Sequence, residues 1–289
     1  MKKIISLSLV LMMALSVNAQ LLWKISGNGL KDASYILGTH HACSFTFCDS
    51  IPGLKKAFGQ AQVVVGEIDM LNAGQMSQEE QLQLRSLMLM PSDTTLMSLF
   101  SQEEIALIDK YLLANLGANL QQLSMLKPKS ILVTLQNKIL MEILPTMATM
   151  TGMDTYMQQL AAKNAKEVGA LETMSFQLNL LYASSLEEQA DALLEMARTD
   201  NMKEMLVELT EVYKSCDLDA LWKIFMEQTT ELEYEKLVKT RNLRWEMQMK
   251  EMMPLQSTLF VVGAGHLPGE FGMIQLLRSA GYKVKAIKK

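Results

Sequence analysis

Two unbroken apolar runs, VVVGEID at 63–69 and STLFVVGAG at 257–265, constrain this chain more than any other feature. A strand with one wet face alternates apolar and polar side chains. A strand covered on both faces reads instead as a continuous aliphatic, β-branched run. Both segments therefore predict strands of a parallel sheet packed between helices. Each also ends in glycine and then an ionisable residue, Gly66-Glu67 and Gly263-Ala264-Gly265-His266. ASYILGT at 33–39 runs in the same way into His40-His41, and the weaker EVGALET at 167–173 runs into Glu172. The chain has only three histidines, and all of them follow predicted strands.

Near the start, LLWKISG and ASYILGT flank the turn-rich NGLKD, which predicts a β-hairpin. KVKAI predicts a final strand after the helix FGMIQLLRSAG, with Gly281 as its C-cap. Helical apolar spacing occupies 75–90, 102–116, 130–143, 153–164, 178–198, 201–214 and 230–252, with Pro91, Pro128 and Pro145 punctuating the ends. The expectation is an α/β fold of the α+β kind: a small, mostly parallel central sheet with an N-terminal hairpin, flanked by many helices. Residues 20–289 would form a single domain, with a large helical insertion at about 75–150.

Residues 1–19 read as a secretory signal peptide, with Lys2 and Lys3 before an apolar core and small residues at Val17 and Ala19. That core is shorter than the roughly 20 residues of a membrane span. The mature chain is expected to be exported, to the periplasm or outside the cell, with no stable membrane span. Losing two lysines and no acid takes the net charge from −4 to −6. A mildly acidic chain argues against nucleic acid, where Lys and Arg on phosphates supply most of the affinity.

Cys43 and Cys48 could bridge a short loop or simply pack as small buried residues, since separation alone does not fix disulfide geometry. The 24 methionines, with Met141, Met147, Met150, Met153 and Met157 spaced three or four apart, read as core or groove lining rather than a soft-metal site.

In open α/β sheets the loops leaving the carboxyl ends of parallel strands converge, and ligands bind there. If these strands are parallel, His40, His41, Glu67, Glu172 and His266 share one rim. Two neutral imidazoles and a carboxylate suit a divalent transition metal with a position left for water. Such a metal polarises a carbonyl and acidifies water, and a second carboxylate can act as base. Any single histidine would otherwise read as a hydrogen-bonded structural residue. Serine catalysis lacks a G-x-S-x-G elbow, and GAGHLPG departs from dinucleotide-loop spacing.

The ordered set Gly38-Thr39-His40-His41, Glu67, Gly152-Met153-Asp154, Leu171-Glu172-Thr173, Arg241-Asn242 with Trp245, and Gly263-Ala264-Gly265-His266 followed by LPGEFGMIQLLRSAGYKV resembles the TraB/GumN family, which includes the Tiki metalloproteases. The resemblance runs over most of the mature chain. It implies a metal-dependent hydrolase acting on peptide bonds of a peptide or protein substrate. His41, Glu67 and His266 would hold a divalent ion (Mn, Co or Zn), with Arg241 nearby and His40 incidental.

Glu67 could be the third ligand or the base, and Arg241 an oxyanion donor or one half of a surface salt bridge. Asp69 could support Glu67 or face solvent. Asp154 and Glu172 could support the site or cap helices, the N-cap reading being the natural one for Asp154. Trp245 reads as core packing. The alternative function is a non-enzymatic binder of haem or another small ligand, and a third is an interaction protein using the helical insertion.

Overall fold

The computed structural model describes residues 20–72, 77–143, 151–182 and 184–288. The expected signal peptide, Met147, Met150 and Pro145 lie outside them. Among the described residues six strands form one sheet: β1 (Leu22–Ser26), β2 (Ser34–Thr39), β3 (Val63–Gly66), β4 (Glu167–Ala170), β5 (Thr258–Gly263) and β6 (Lys283–Ala286), in the order β4-β3-β5-β2-β1-β6. β4, β3, β5 and β2 run parallel, and β1 pairs antiparallel with both β2 and β6. The mostly parallel sheet and the hairpin are thus as the sequence predicts. β2 is buried along its whole length and β5 along all but its last residue, in keeping with their unbroken apolar reading.

The parallel register aligns the strand ends. Thr39 stands beside Gly263, Gly66 beside Val261, and Gly66 beside Ala170. The chain therefore leaves four neighbouring strands at one rim. A close approach there requires glycine: a Cβ on Gly38 would stand 2.8 Å from Leu267 Cδ1 and 3.0 Å from the Ala264 backbone.

Twelve α-helical segments are present among the described residues: α1 (Leu54–Gln60), α2 (Gln78–Met88), α3 (Gln102–Leu116), α4 (Pro128–Ile143), α5 (Met153–Lys163), α6 (Met174–Leu181), α7 (Leu186–Thr199), α8 (Met202–Lys214), α9 (Leu218–Glu227), α10 (Glu231–Tyr234), α11 (Thr240–Met252) and α12 (Met273–Ser279). α1 and α9 were not predicted. The single helix expected over 178–198 is two, because Ser185 forms a capping box with Glu188 and restarts the helix as α7. α12 ends in a Schellman arrangement: Gly281, at φ 91°, donates to Arg278 O, and Tyr282 donates to Leu277 O.

Two apolar clusters form among the described residues. The first joins the sheet to α5, α11 and α12, with Trp23, Trp245, Phe260 and Met157 among its buried members. The second lies in the helical region, where Ile108, Leu112, Ile131 and Leu135 pack against Leu193, Leu194 and Ala197. The insertion's core therefore draws on α7, beyond the expected limit at 150. Met153 and Met157 are buried as predicted, while Met141 is largely exposed. Cys43 and Cys48 are buried with free thiols, pushed up to about 11 and 12 chiefly by burial.

Candidate functional site

Arg241 lies at the centre of the site. It sits on the first turn of α11, directly after a π-helical turn at Glu235–Lys239, a distortion that recurs at functional sites. Its Nε donates to both Glu172 carboxylate oxygens at 3.1 Å, and Nη2 donates to Glu172 Oε2 at 2.8 Å and to Glu67 Oε2 at 2.6 Å. Nη1 donates to Leu237 O at 3.1 Å and meets His266 Nε2 at 2.9 Å. The guanidinium lies 4.7 Å from the Trp245 ring centroid, and the His266 ring packs on the same indole at 4.4 Å. A buried charge has to be paired and hydrogen-bonded. The surface-salt-bridge reading of Arg241 is therefore corrected: its side chain is only 9% exposed, and that of Glu172 1%.

Glu67, just past β3, accepts from the Gly263 amide at 2.7 Å through Oε1, which stands 3.8 Å from His266 Nε2. Burial works to raise its carboxyl, but His266, Arg241 and the Gly263 amide outweigh that and hold it at about 2. Burial, in turn, lowers His266 to about 3, against the attraction of Glu67. At neutral pH the His266 ring is therefore uncharged, and Arg241, the Gly263 amide and the charged His41 are what sustain the Glu67 charge.

His41 stands at the mouth of the site with its side chain 80% exposed, its Nδ1 3.4 Å from Asp154 Oδ2. The hydrogen bond to Asp154 raises it to about 9 despite desolvation; water around so open a ring trims the effect but keeps its direction. Thr39 Oγ1 donates to Asp154 Oδ1 at 2.7 Å. Asp154 is thus not the N-cap of α5, which falls at Gly152. His41, Glu67, Asp154, Gln158 and Gln177 line a cavity of about 170 Å³.

The other named residues part company. His40 turns away to hydrogen-bond Thr210 Oγ1 at 3.1 Å and pack against Tyr213, and burial lowers it to about 4. Asp69 accepts from the Leu71 and Asn72 amides and the Asn72 side chain, closing its own turn. That turn, rather than support of Glu67 or simple exposure, accounts for its carboxylate.

Three amides had no role in the sequence reading. Gln177 Nε2 bridges Glu67 Oε2 at 2.9 Å and Glu172 Oε2 at 3.2 Å. Gln158, 1% exposed, clamps the segment after β3 by donating to Ile68 O and accepting from Met70 N. Asn242 contacts His266 Nδ1 at 2.7 Å. The available signal for Gln177 was Thr173, whose side chain caps α6 and places Gln177 in its first turn.

The donor set suits a divalent transition ion in kind: a neutral imidazole at His266, an ionised carboxylate at Glu67, and His41, an imidazole that is backed by Asp154 and has to give up its proton before it can ligate. In arrangement, the His266 Nε2 and one Glu67 oxygen are bonded to Arg241. Among the described residues, no group of three His, Cys, Asp or Glu side chains stands ready around a common ion position.

A mostly parallel sheet that gathers two carboxylates, a guanidinium and imidazoles at the carboxyl ends of its parallel strands defines an α/β protein with a candidate site at that rim, where ligands bind in open α/β sheets. Residues 21–286 match the model of the TraB/PrgY/gumN family, and the chain belongs to that family. Searches of curated proteins and of solved structures gave no match. No helix among the described residues is long and apolar enough to cross a membrane.

Proposed function

We propose that this protein is an exported metal-dependent hydrolase that cleaves peptide bonds, with His41, Glu67 and His266 holding a divalent ion such as Mn, Co or Zn. The observation that carries this reading is that Glu67 and His266 meet Arg241 and Glu172 in one buried cluster, while His41 lines the small cavity that opens on Glu67. A held ion would supply Lewis acidity and an acidified water. Glu67, ionised far below neutrality, is a poor proton acceptor, so ligation suits it better than the base role. Asp154 orients the His41 ring through Nδ1, as acids commonly do behind ligating imidazoles. Arg241, whose five N–H groups are all committed to Glu172, Glu67, Leu237 O and His266, holds the charged cluster together and keeps Glu67 ionised rather than offering a free fork to substrate. The adjoining cavity of about 170 Å³ falls below the roughly 300–1,000 Å³ of sites that enclose drug-sized ligands.

The test is elemental analysis of protein purified without chelator, beside His41→Ala and His266→Ala. Metal should be present in the parent and reduced in both variants. Equal metal content in all three would overturn the reading. Cleavage of a peptide library after restoring Mn, Co or Zn separately then tests the peptide-bond assignment.

A further inference from the structure

Asn242 is fully buried on α11, one residue after Arg241, and the three bonds of its amide leave no freedom in how it faces. Its Nδ2 lies 3.0 Å from His266 O and 2.8 Å from Phe271 O. A carbonyl oxygen can only accept, so the atom facing these two must be the NH₂ group. The side-chain oxygen is thereby committed to the third contact, His266 Nδ1 at 2.7 Å. An oxygen acceptor facing a ring nitrogen requires that nitrogen to carry the hydrogen. In a neutral imidazole with Nδ1 protonated, Nε2 is left with a bare lone pair, and that atom meets Arg241 Nη1, which can only donate. Two backbone carbonyls thus fix an amide, the amide fixes a tautomer, and the tautomer decides which histidine atom faces the site.

We propose that Asn242 is a positioning residue that locks His266 as the Nδ1–H tautomer and so presents Nε2 to the site. It is the neutral counterpart of the Asp154 behind His41. The tautomer itself is independent of what the site binds; only its consequence for metal affinity rests on the proposed function.

The experiment is long-range ¹H–¹⁵N correlation of the imidazole nitrogens in histidine-labelled protein at neutral pH, without metal, with His40→Ala and His41→Ala used for assignment. Wild-type His266 should show one protonated nitrogen, Nδ1. A dominant Nε2–H signal in the wild type would overturn the proposal without recourse to any variant. Asn242→Asp and Asn242→Leu then separate tautomer control from mere support of the loop. Both remove the donors to His266 O and Phe271 O, but only the aspartate keeps an acceptor opposite Nδ1. Nδ1 should remain protonated in Asn242→Asp, whereas in Asn242→Leu, where the Arg241 contact alone still favours a bare Nε2, an Nε2–H population absent from the wild type should emerge, with a roughly 10- to 100-fold loss in Zn²⁺ affinity by titration calorimetry. Identical His266 spectra in the two variants would refute the role. Wild-type protein with the Nδ1–H tautomer but no affinity for Zn²⁺, Mn²⁺ or Co²⁺ would support this inference and count against the metal-dependent function.

Discussion

Replacing Arg241 by Met removes the one cationic side chain among the described residues that bonds both Glu67 and Glu172, while leaving a flexible stem over the Trp245 ring. Both acids are enclosed, with side chains 14% and 1% exposed, so water cannot readily replace the guanidinium. Removing one partner of a buried pair leaves an uncompensated charge and typically costs about 3–5 kcal/mol. That is a large share of a total stability of about 5–15 kcal/mol. At about 2–4 °C per kcal/mol for a chain of this size class, the melting temperature should fall by roughly 6–20 °C.

The assay is thermal unfolding followed by circular dichroism with chelator present, paralleled by urea denaturation. Arg241→Lys should be intermediate, since an ammonium keeps the charge but cannot make the forked contacts. A loss below about 1 kcal/mol, the scale of an exposed ion pair, or equal losses in Met and Lys variants, would refute the account of a buried, geometry-dependent cluster. The pH dependence has a definite sign. The folded-state pKa of Glu67, about 2, lies below its ordinary value of 4.5, so its contribution is complete above 4.5 and lost as pH falls towards 2. Without Arg241 the carboxyl moves up, and the variant's deficit should shrink on acidification.

Gly66→Ala would place a Cβ 2.1 Å from Gln158 Nε2 and 3.0 Å from Ile68 O. It should destabilise the protein by about 1–3 kcal/mol and loosen the segment carrying Glu67, seen as faster hydrogen exchange at the Met70 amide. Cys43 and Cys48, buried and with thiols raised to about 11 and 12, should resist alkylation by iodoacetamide at mildly alkaline pH until denaturant is added; rapid labelling of the folded protein would contradict their packing. His40→Ala removes one hydrogen bond to Thr210 and should cost about 0.5–1.5 kcal/mol of stability with no change in metal content, whereas a metal loss matching that of His41→Ala would bring His40 into the site.

Much of the architecture was legible because burial on both faces writes itself as an unbroken apolar run. β2, β3 and β5 could be placed from that pattern, and the glycines and ionisable residues behind them marked the functional rim. Helices came through where the apolar spacing was regular. They were missed at α1, which is short, and misjoined across 178–198, where the capping serine lies inside an otherwise continuous pattern.

The sequence by itself determined which residue types leave the strands, since that order is local and covalent. Only the tertiary structure decided how their charges are partnered. Arg241 becomes the buried centre, His40 and His41 diverge, and Asp154 serves a histidine rather than a helix end. Those outcomes depend on contacts between residues such as 67, 172, 241 and 266, whose separation along the chain carries no record of their angles. Electrostatic and hydrogen-bond energies turn on ångströms and burial, quantities that exist only once the parallel register has brought the four strand ends side by side.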